Sequence, residues 1–171
     1  MKTLLLIRHT ETLHLAGRPD SQLGNDSELS DTGRAQALAL AARLAGYPVE
    51  LIISSLYLRA QQTAKILNER WHAKHISSMD LNEYFLRSDG AGVESVEQGF
   101  VRASCAIAPY RLAHDTIAVV SHNSILSTFM TGLLNLPFDE GKGLFSTLGR
   151  VHVLSYDWER GEQNWRIRES L

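Results

Sequence analysis

The chain of 171 residues has one cysteine and no long apolar run. Cys105 cannot form an intramolecular disulfide and has no partners at the spacing of a zinc site, which predicts a reducing, cytoplasmic location. No window approaches the roughly 18 consecutive apolar residues of a membrane helix. The apolar start is interrupted at Arg8, too early for a signal peptide.

Charge of one sign is not in excess either: 17 basic and 19 acidic residues give a formal net charge of -2. A global basic field that would recruit nucleic acid or an anionic membrane is therefore excluded. We expect neither as a partner, and any anion must be bound locally.

Strand-like apolar runs alternate with helical stretches along the chain. This alternation predicts a mostly parallel sheet. With 44% hydrophobic residues and no repeat, low-complexity tract or linker, the chain is expected to form one domain over residues 1–171. Strands are predicted at residues 3–8, 50–54, near 75–76, and at 116–121, 150–156 and 164–168. Helices are predicted at about 35–45, at 56–70 and at 124–134, the first of them capped by Ser30. A further helix is predicted to begin at a capping box at Ser95 and to continue despite Pro109.

Polar residues follow the ends of the predicted strands. Arg8 and His9 come after the first strand, Arg59 follows the second, and His122 with Asn123 follows the fourth. The carboxyl ends of parallel strands open onto the ligand crevice of an α/β domain. These side chains are therefore expected to face a substrate.

Two arginines, two histidines and the carboxylate of Glu83 suit phosphoryl transfer. Arginine binds phosphate oxygens in bidentate fashion and stabilises the charge of the transferring group. A neutral imidazole can attack phosphorus to give a phosphohistidine. A carboxylic acid can protonate the leaving alkoxide.

Several segments in order resemble the histidine phosphatase superfamily, the phosphoglycerate mutase-like fold. They are Leu6-Ile7-Arg8-His9-Thr10-Glu11-Thr12, Leu29 to Ala37, Ser54 to Ala64, Leu81-Asn82-Glu83, Glu94-Ser95 with Arg102, and Val119 to His122. The resemblance implies a three-layer α/β/α sandwich with a mostly parallel central sheet. It also implies metal-independent catalysis without a cofactor.

The resemblance further implies a role for each matching residue. His9 is the expected nucleophile, Arg8 and Arg59 the phosphate clamp, His122 a second imidazole donating to the phosphoryl oxygens, and Glu83 the proton donor. Two positions depart from the pattern, because Thr10 and Asn123 stand where the family usually has glycine. Both side chains can contact phosphate, so we expect them to narrow the pocket or add substrate contacts.

The short segment between Glu83 and His122 predicts only a small cap, around residues 80–95. An open pocket favours hydrolysis over mutase chemistry, because a mutase must shield its intermediate from water. Glu83 favours phosphomonoesters over phosphohistidine, whose leaving group is easier to expel. The expected activity is hydrolysis of a small phosphorylated metabolite, with a resemblance to the α-ribazole phosphatase branch. The alternatives are a protein phosphohistidine phosphatase and a phosphate-binding or partner-binding module with weakened turnover.

Overall fold

A six-stranded mixed sheet forms the centre of the computed structural model, which describes residues 1–13, 26–83, 94–141, 143–157 and 164–171. The strands are β1 (Lys2–Arg8), β2 (Leu51–Ser55), β3 (Lys74–Ser78), β4 (Thr116–Ser121), β5 (Val151–Tyr156) and β6 (Arg166–Ser170). Their order across the sheet is β3-β2-β4-β1-β5-β6. The first four of these are parallel to one another, whereas β5 pairs antiparallel with both β1 and β6. The mostly parallel sheet predicted from the alternation of elements is confirmed.

Two helices cover each face of the sheet: α1 (Asp31–Arg43) and α2 (Leu58–Trp71) on one, α3 (Val96–Arg111) and α4 (Asn123–Leu134) on the other. The period of two in a strand divides β1 between the faces. Leu4 and Leu6 pack with α3 and α4, whereas Leu5 and Ile7 pack with α1 and α2. These side chains are almost completely buried, and each contributes roughly 1.5–3 kcal/mol. The three-layer α/β/α arrangement is confirmed.

Helix α1 begins at the predicted cap, where the side chain of Ser30 accepts the N–H of Gly33. A Cβ atom on Gly33 would lie 1.9 Å from the carbonyl oxygen of Glu11. Only glycine allows the first turn of α1 to approach the segment that follows β1 so closely. The start of α1 therefore packs directly against the backbone that leaves the first strand.

Helix α3 has the predicted capping box, formed by Ser95 and Gln98, and continues past Pro109 to Arg111. Cys105 lies in this helix and is exposed, although its apolar sequence neighbours favour a place in the core. The buried positions of α3 are Gly99, Ala103, Ala106 and Ile107. At 3.6 residues per turn this pattern directs position 105 away from the core.

Some predictions fall outside the described residues. They concern most of the loop after His14, and residues 84–93 of the predicted cap. The last strand lies two residues later than predicted, at Arg166–Ser170. Among the described helices, none is long and apolar enough to cross a membrane.

Candidate active site

The ends of β1, β4 and β2 bring the predicted site residues together. Strand β4 lies between the other two, with Arg8 in register with Ser121. His9 and His122 each follow one of these neighbouring strands, and their ring centroids lie 5.2 Å apart. Two histidines more than a hundred positions apart in the chain therefore face one another at the edge where a parallel sheet opens.

His9 has the geometry of a neutral nucleophile. Its backbone N–H donates to the carbonyl of Ser121 at 2.9 Å, and its side chain is buried. Its Nδ1 lies 2.8 Å from the carbonyl oxygen of Thr10. Because a carbonyl can only accept, the proton is on Nδ1, and Nε2 of the neutral ring carries a free lone pair.

Burial is the main cause that lowers the pKa of His9, to about 3, and the cations of Arg59 and Arg8 act in the same direction. The carbonyl of Thr10 opposes this shift. The imidazole is therefore neutral near pH 7. A neutral ring is the form that can attack an electrophilic phosphorus.

Arg8 and Arg59 approach the histidines from two elements. Arg8 is the last residue of β1, and its guanidinium donates to the carbonyls of Phe145, at 2.8 Å, and Ser146. Burial lowers its pKa below the ordinary value of an arginine. Arg59 lies in the first turn of α2, with its guanidinium carbon 4.7 Å from the centroid of the Tyr57 ring.

His122 immediately precedes α4 and is 1% exposed. Burial lowers its pKa well below 6.5, with further contributions from Arg59, His9 and Arg8. Its Nε2 lies 2.8 Å from the hydroxyl of Ser55. The rings of His122 and Tyr57 form an edge-to-face pair, with 5.2 Å between their centroids.

Glu83 contacts the start of α4 directly. One oxygen of its carboxylate accepts the N–H of Ser124 and the other accepts that of Ile125, each at 3.2 Å. These donors belong to the first turn of a helix that has no side-chain cap from His122. Glu83 therefore supplies the missing acceptor for the first turn of α4. The contact places its carboxylate beside the backbone that follows His122.

Arg102 fixes the turn that leads to Glu83. Two nitrogens of its guanidinium each donate to the carboxylate of Glu94 at 2.7 Å. The third donates to the carbonyls of Asp80, at 2.7 Å, and Asn82, at 3.0 Å. Sequence comparison matched Arg102 to a family segment without assigning its role. The structure shows that it positions the loop that carries Glu83.

Thr10 is completely buried against α2. Its N–H donates to the hydroxyl oxygen of Thr63 at 3.2 Å, and the two hydroxyl oxygens lie 3.3 Å apart. Thr63 uses its own hydrogen on the carbonyl of Arg59, at 2.8 Å. The hydroxyl of Thr10 must therefore be the donor to Thr63. A contact between Thr10 and the substrate stays a prediction, and the hydrogen bond that the side chain makes here is to Thr63.

Several buried polar atoms near the strand ends lack a hydrogen-bond partner among the described residues. They are Arg8 Nε, His122 Nδ1 and Asn123 Oδ1, together with Ser127 Oγ in α4. Most of them belong to residues that the sequence assigns to the site. Such atoms are rare in folded proteins, and a ligand-binding site is one of the explanations for them.

Comparison with known proteins agrees with this geometry. Residues 4–88 match the sequence model described as the histidine phosphatase superfamily, branch 1. The chain is 44% identical over 71 residues to a glucosyl-3-phosphoglycerate phosphatase of Mycolicibacterium vanbaalenii. That match covers 41% of this chain and 31% of the relative, so the chain spans less than a third of the relative's length.

Solved structures of similar proteins match nearly the whole chain. A mycobacterial glucosyl-3-phosphoglycerate phosphatase in complex with VO3 has a TM-score of 0.81 at 25% identity and covers 99% of this chain and 98% of its own. A protein described as a putative α-ribazole-5'-P phosphatase from Escherichia coli has a TM-score of 0.75 at 21% identity. The alignment covers 98% of this chain and 94% of the E. coli chain. This similarity supports the assignment of the fold and nothing further.

Proposed function

The chain belongs to the histidine phosphatase superfamily, and we propose that it hydrolyses a small phosphomonoester through a phosphohistidine on His9. One observation carries the proposal: the hydrogen bond from Nδ1 of His9 to the Thr10 carbonyl leaves Nε2 as a buried, unprotonated nucleophile. The guanidinium groups of Arg8 and Arg59 act electrostatically on this ring. They are the expected clamp for the phosphoryl oxygens.

In the first step, the lone pair of His9 Nε2 attacks phosphorus and the bond from phosphorus to the ester oxygen breaks. A protonated Glu83 gives its proton to the departing alkoxide, so an alcohol leaves. In the second step, water attacks the phosphohistidine and gives a proton back to Glu83. The bond between phosphorus and nitrogen breaks, inorganic phosphate is released, and His9 returns to its neutral form.

The remaining site residues surround the transferring group in this proposal. His122 contacts a phosphoryl oxygen through the ring nitrogen that has no partner among the described residues. Asn123 begins α4 beside it and is the proposed substrate contact. The backbone carbonyl of Thr10 orients the ring of His9. The direct contact between Thr10 and the substrate, predicted from the sequence, is kept in this proposal.

The substrate class is a small phosphorylated metabolite. The relative from Mycolicibacterium vanbaalenii is a glucosyl-3-phosphoglycerate phosphatase. Glucosyl-3-phosphoglycerate is therefore a candidate substrate beside α-ribazole 5'-phosphate. The similarity to the α-ribazole branch stays a prediction. So does the cytoplasmic location, which depends on the single cysteine.

The test is turnover of p-nitrophenyl phosphate and a panel containing both candidate esters, with a chelator present. We compare wild type with His9→Ala, Glu83→Gln and the control His72→Asn. His72 is an exposed histidine with φ 53°, a conformation that asparagine adopts readily. We expect His9→Ala to lower kcat by at least about 10³-fold and Glu83→Gln by about 10²-fold or more.

Each alternative activity gives a different result in the same experiment. A wild-type protein that hydrolyses none of the esters but releases phosphate from a phosphohistidine protein would support the phosphohistidine phosphatase. A protein that binds inorganic phosphate and turns over neither class would support the binding module. Equal turnover by wild type and His9→Ala would remove the phosphohistidine mechanism altogether.

A further inference from the structure

His122 contacts a buried serine outside the set of residues assigned to the phosphate. Ser55, the last residue of β2, is 0% exposed, and its hydroxyl oxygen lies 2.8 Å from His122 Nε2. An imidazole nitrogen can donate or accept, and so can a hydroxyl. The neighbours of Ser55 decide the direction of this bond.

The hydrogen of the Ser55 hydroxyl is already used. Ser55 donates at 2.8 Å to Oδ1 of Asn82, and the N–H of Leu56 donates to the same Oδ1 at 3.0 Å. Two donors converge on this atom, which identifies it as the oxygen of the side-chain amide. The N–H of Tyr57 also donates to the Ser55 hydroxyl, at 3.1 Å. Toward His122, Ser55 can therefore only accept.

We propose that Ser55 and Asn82 are positioning residues that hold His122 in the tautomer with its proton on Nε2. This inference rests on the proposed function for its meaning, because it leaves Nδ1 as the ring atom toward the phosphoryl group. A bare Nδ1 can only accept, so it takes a hydrogen bond from a protonated phosphoryl oxygen, in place of the donation that the resemblance implies. Nδ1 is the buried nitrogen of His122 that has no partner among the described residues. In the opposite tautomer, the lone pair of Nε2 would face a serine oxygen whose hydrogen points to Asn82.

The same hydrogen bonds connect the ring of His122 with the segment that carries Glu83. Asn82 directly precedes Glu83, and Glu83 accepts the N–H groups of Ser124 and Ile125 in the first turn of α4. The ring of His122 is thus bound on one side through Ser55, and the backbone that follows it is bound through Glu83. A change at Ser55 is expected to alter the ring without disturbing the carboxylate contacts.

The tautomer can be read directly from two-bond ¹H–¹⁵N correlations of the ring nitrogens in the ligand-free, full-length protein labelled at histidine. The His122 signals are assigned by their loss in His122→Gln. We expect the wild type to show a protonated Nε2 and a bare Nδ1. Addition of inorganic phosphate should then shift the Nδ1 resonance of His122.

Ser55→Ala removes the acceptor, so the Nε2–H tautomer should lose its preference and kcat should fall by about tenfold or more, with a smaller effect on KM. The matched control is Ser54→Ala. Ser54 is equally buried on the same strand, and its hydroxyl bonds to His75 and Ser77 on the other side of the strand. This control should leave the His122 tautomer and turnover unchanged.

Asn82 supplies a second pair of variants. Asn82→Asp keeps an oxygen that accepts from Ser55 and Leu56, so the Nε2–H tautomer should persist. Asn82→Leu removes the acceptor and frees the Ser55 hydrogen, so the tautomer preference should be lost. A protonated Nδ1 in the wild type, or an unchanged tautomer in both Ser55→Ala and Asn82→Leu, would overturn the proposal.

The tautomer and the proposed function can fail separately. The tautomer is measured without substrate, so it does not depend on which ester is hydrolysed. An active enzyme with a protonated Nδ1 would overturn this inference alone. A bare Nδ1 whose resonance does not respond to inorganic phosphate would contradict its assignment to the phosphoryl group.

Discussion

Replacing Thr63 by valine tests whether α2 holds the nucleophile in place. Thr63 is completely buried, and its hydroxyl oxygen accepts both the N–H and the hydroxyl of Thr10. Valine keeps the branched shape of the side chain but removes this oxygen. Both donors of Thr10 then lose their partner, whereas α-helical geometry still pairs the Arg59 carbonyl with a backbone N–H.

The expected size of the effect follows from these contacts. A buried donor left without a partner costs about 1–3 kcal/mol, so two of them should lower the free energy of unfolding by about 2–6 kcal/mol. The carbonyl of Thr10 also orients the ring of His9. Small displacements of a nucleophile are costly, and kcat should fall by about tenfold or more.

The assay is urea unfolding followed by circular dichroism, together with kcat, for wild type, Thr63→Val and the control Thr63→Ser. Serine keeps the hydroxyl and should preserve most of the stability. In a Thr10→Gly background one donor is absent, so Thr63→Val should cost about 1 kcal/mol less there. A loss below about 0.5 kcal/mol, or strictly additive effects of the two substitutions, would refute the argument.

Other predictions concern pH and two contacts beside the site. Since the folded-state pKa of His9 is lowered to about 3 from 6.5, the unfolded chain binds more protons between these values. The free energy of unfolding should thus fall by about 2 kcal/mol from His9 alone between pH 7 and pH 5, a dependence that His9→Gln should weaken in urea titrations. Gly33→Ala forces a Cβ against the carbonyl of Glu11 and should cost about 1–3 kcal/mol, whereas Gly46→Ala, with nothing within 4 Å, should not lower the thermal midpoint. Arg102→Met should reduce kcat by about tenfold or more while the far-ultraviolet spectrum is retained; unchanged turnover would separate this arginine from the site.

The sequence was sufficient to predict most helices and strands, and to predict that His9 and His122 lie at the same edge of the sheet. Both follow from short-range patterns: alternating apolar runs define the strands, and parallel strands end at one edge. The approach of His9 to His122 required only that β1 and β4 lie side by side. The capping box of Ser95 was also predictable, because its residues are close in the chain.

The supporting contacts could not be predicted in the same way. Ser55, Thr63 and Arg102 act on residues 20 or more positions away, through bonds whose directions depend on which hydrogens are already used. Nothing in a serine after an apolar run indicates whether its hydroxyl faces a histidine. Glu83 illustrates the same limit, since its contact with the first turn of α4 depends on how two distant segments pack.

The position of β4 in the sheet has a consequence for how the protein acquires its site during folding. β1 and β2 each pair with β4, which comes after both in the chain. A nascent chain that has not yet produced β4 has only the β2-β3 pair and an unattached first strand. Such non-local pairing slows folding, and the unattached strand has open edges at which misfolded chains can associate. His9 and His122 are brought together only when β4, the last of the parallel strands, is inserted between β1 and β2.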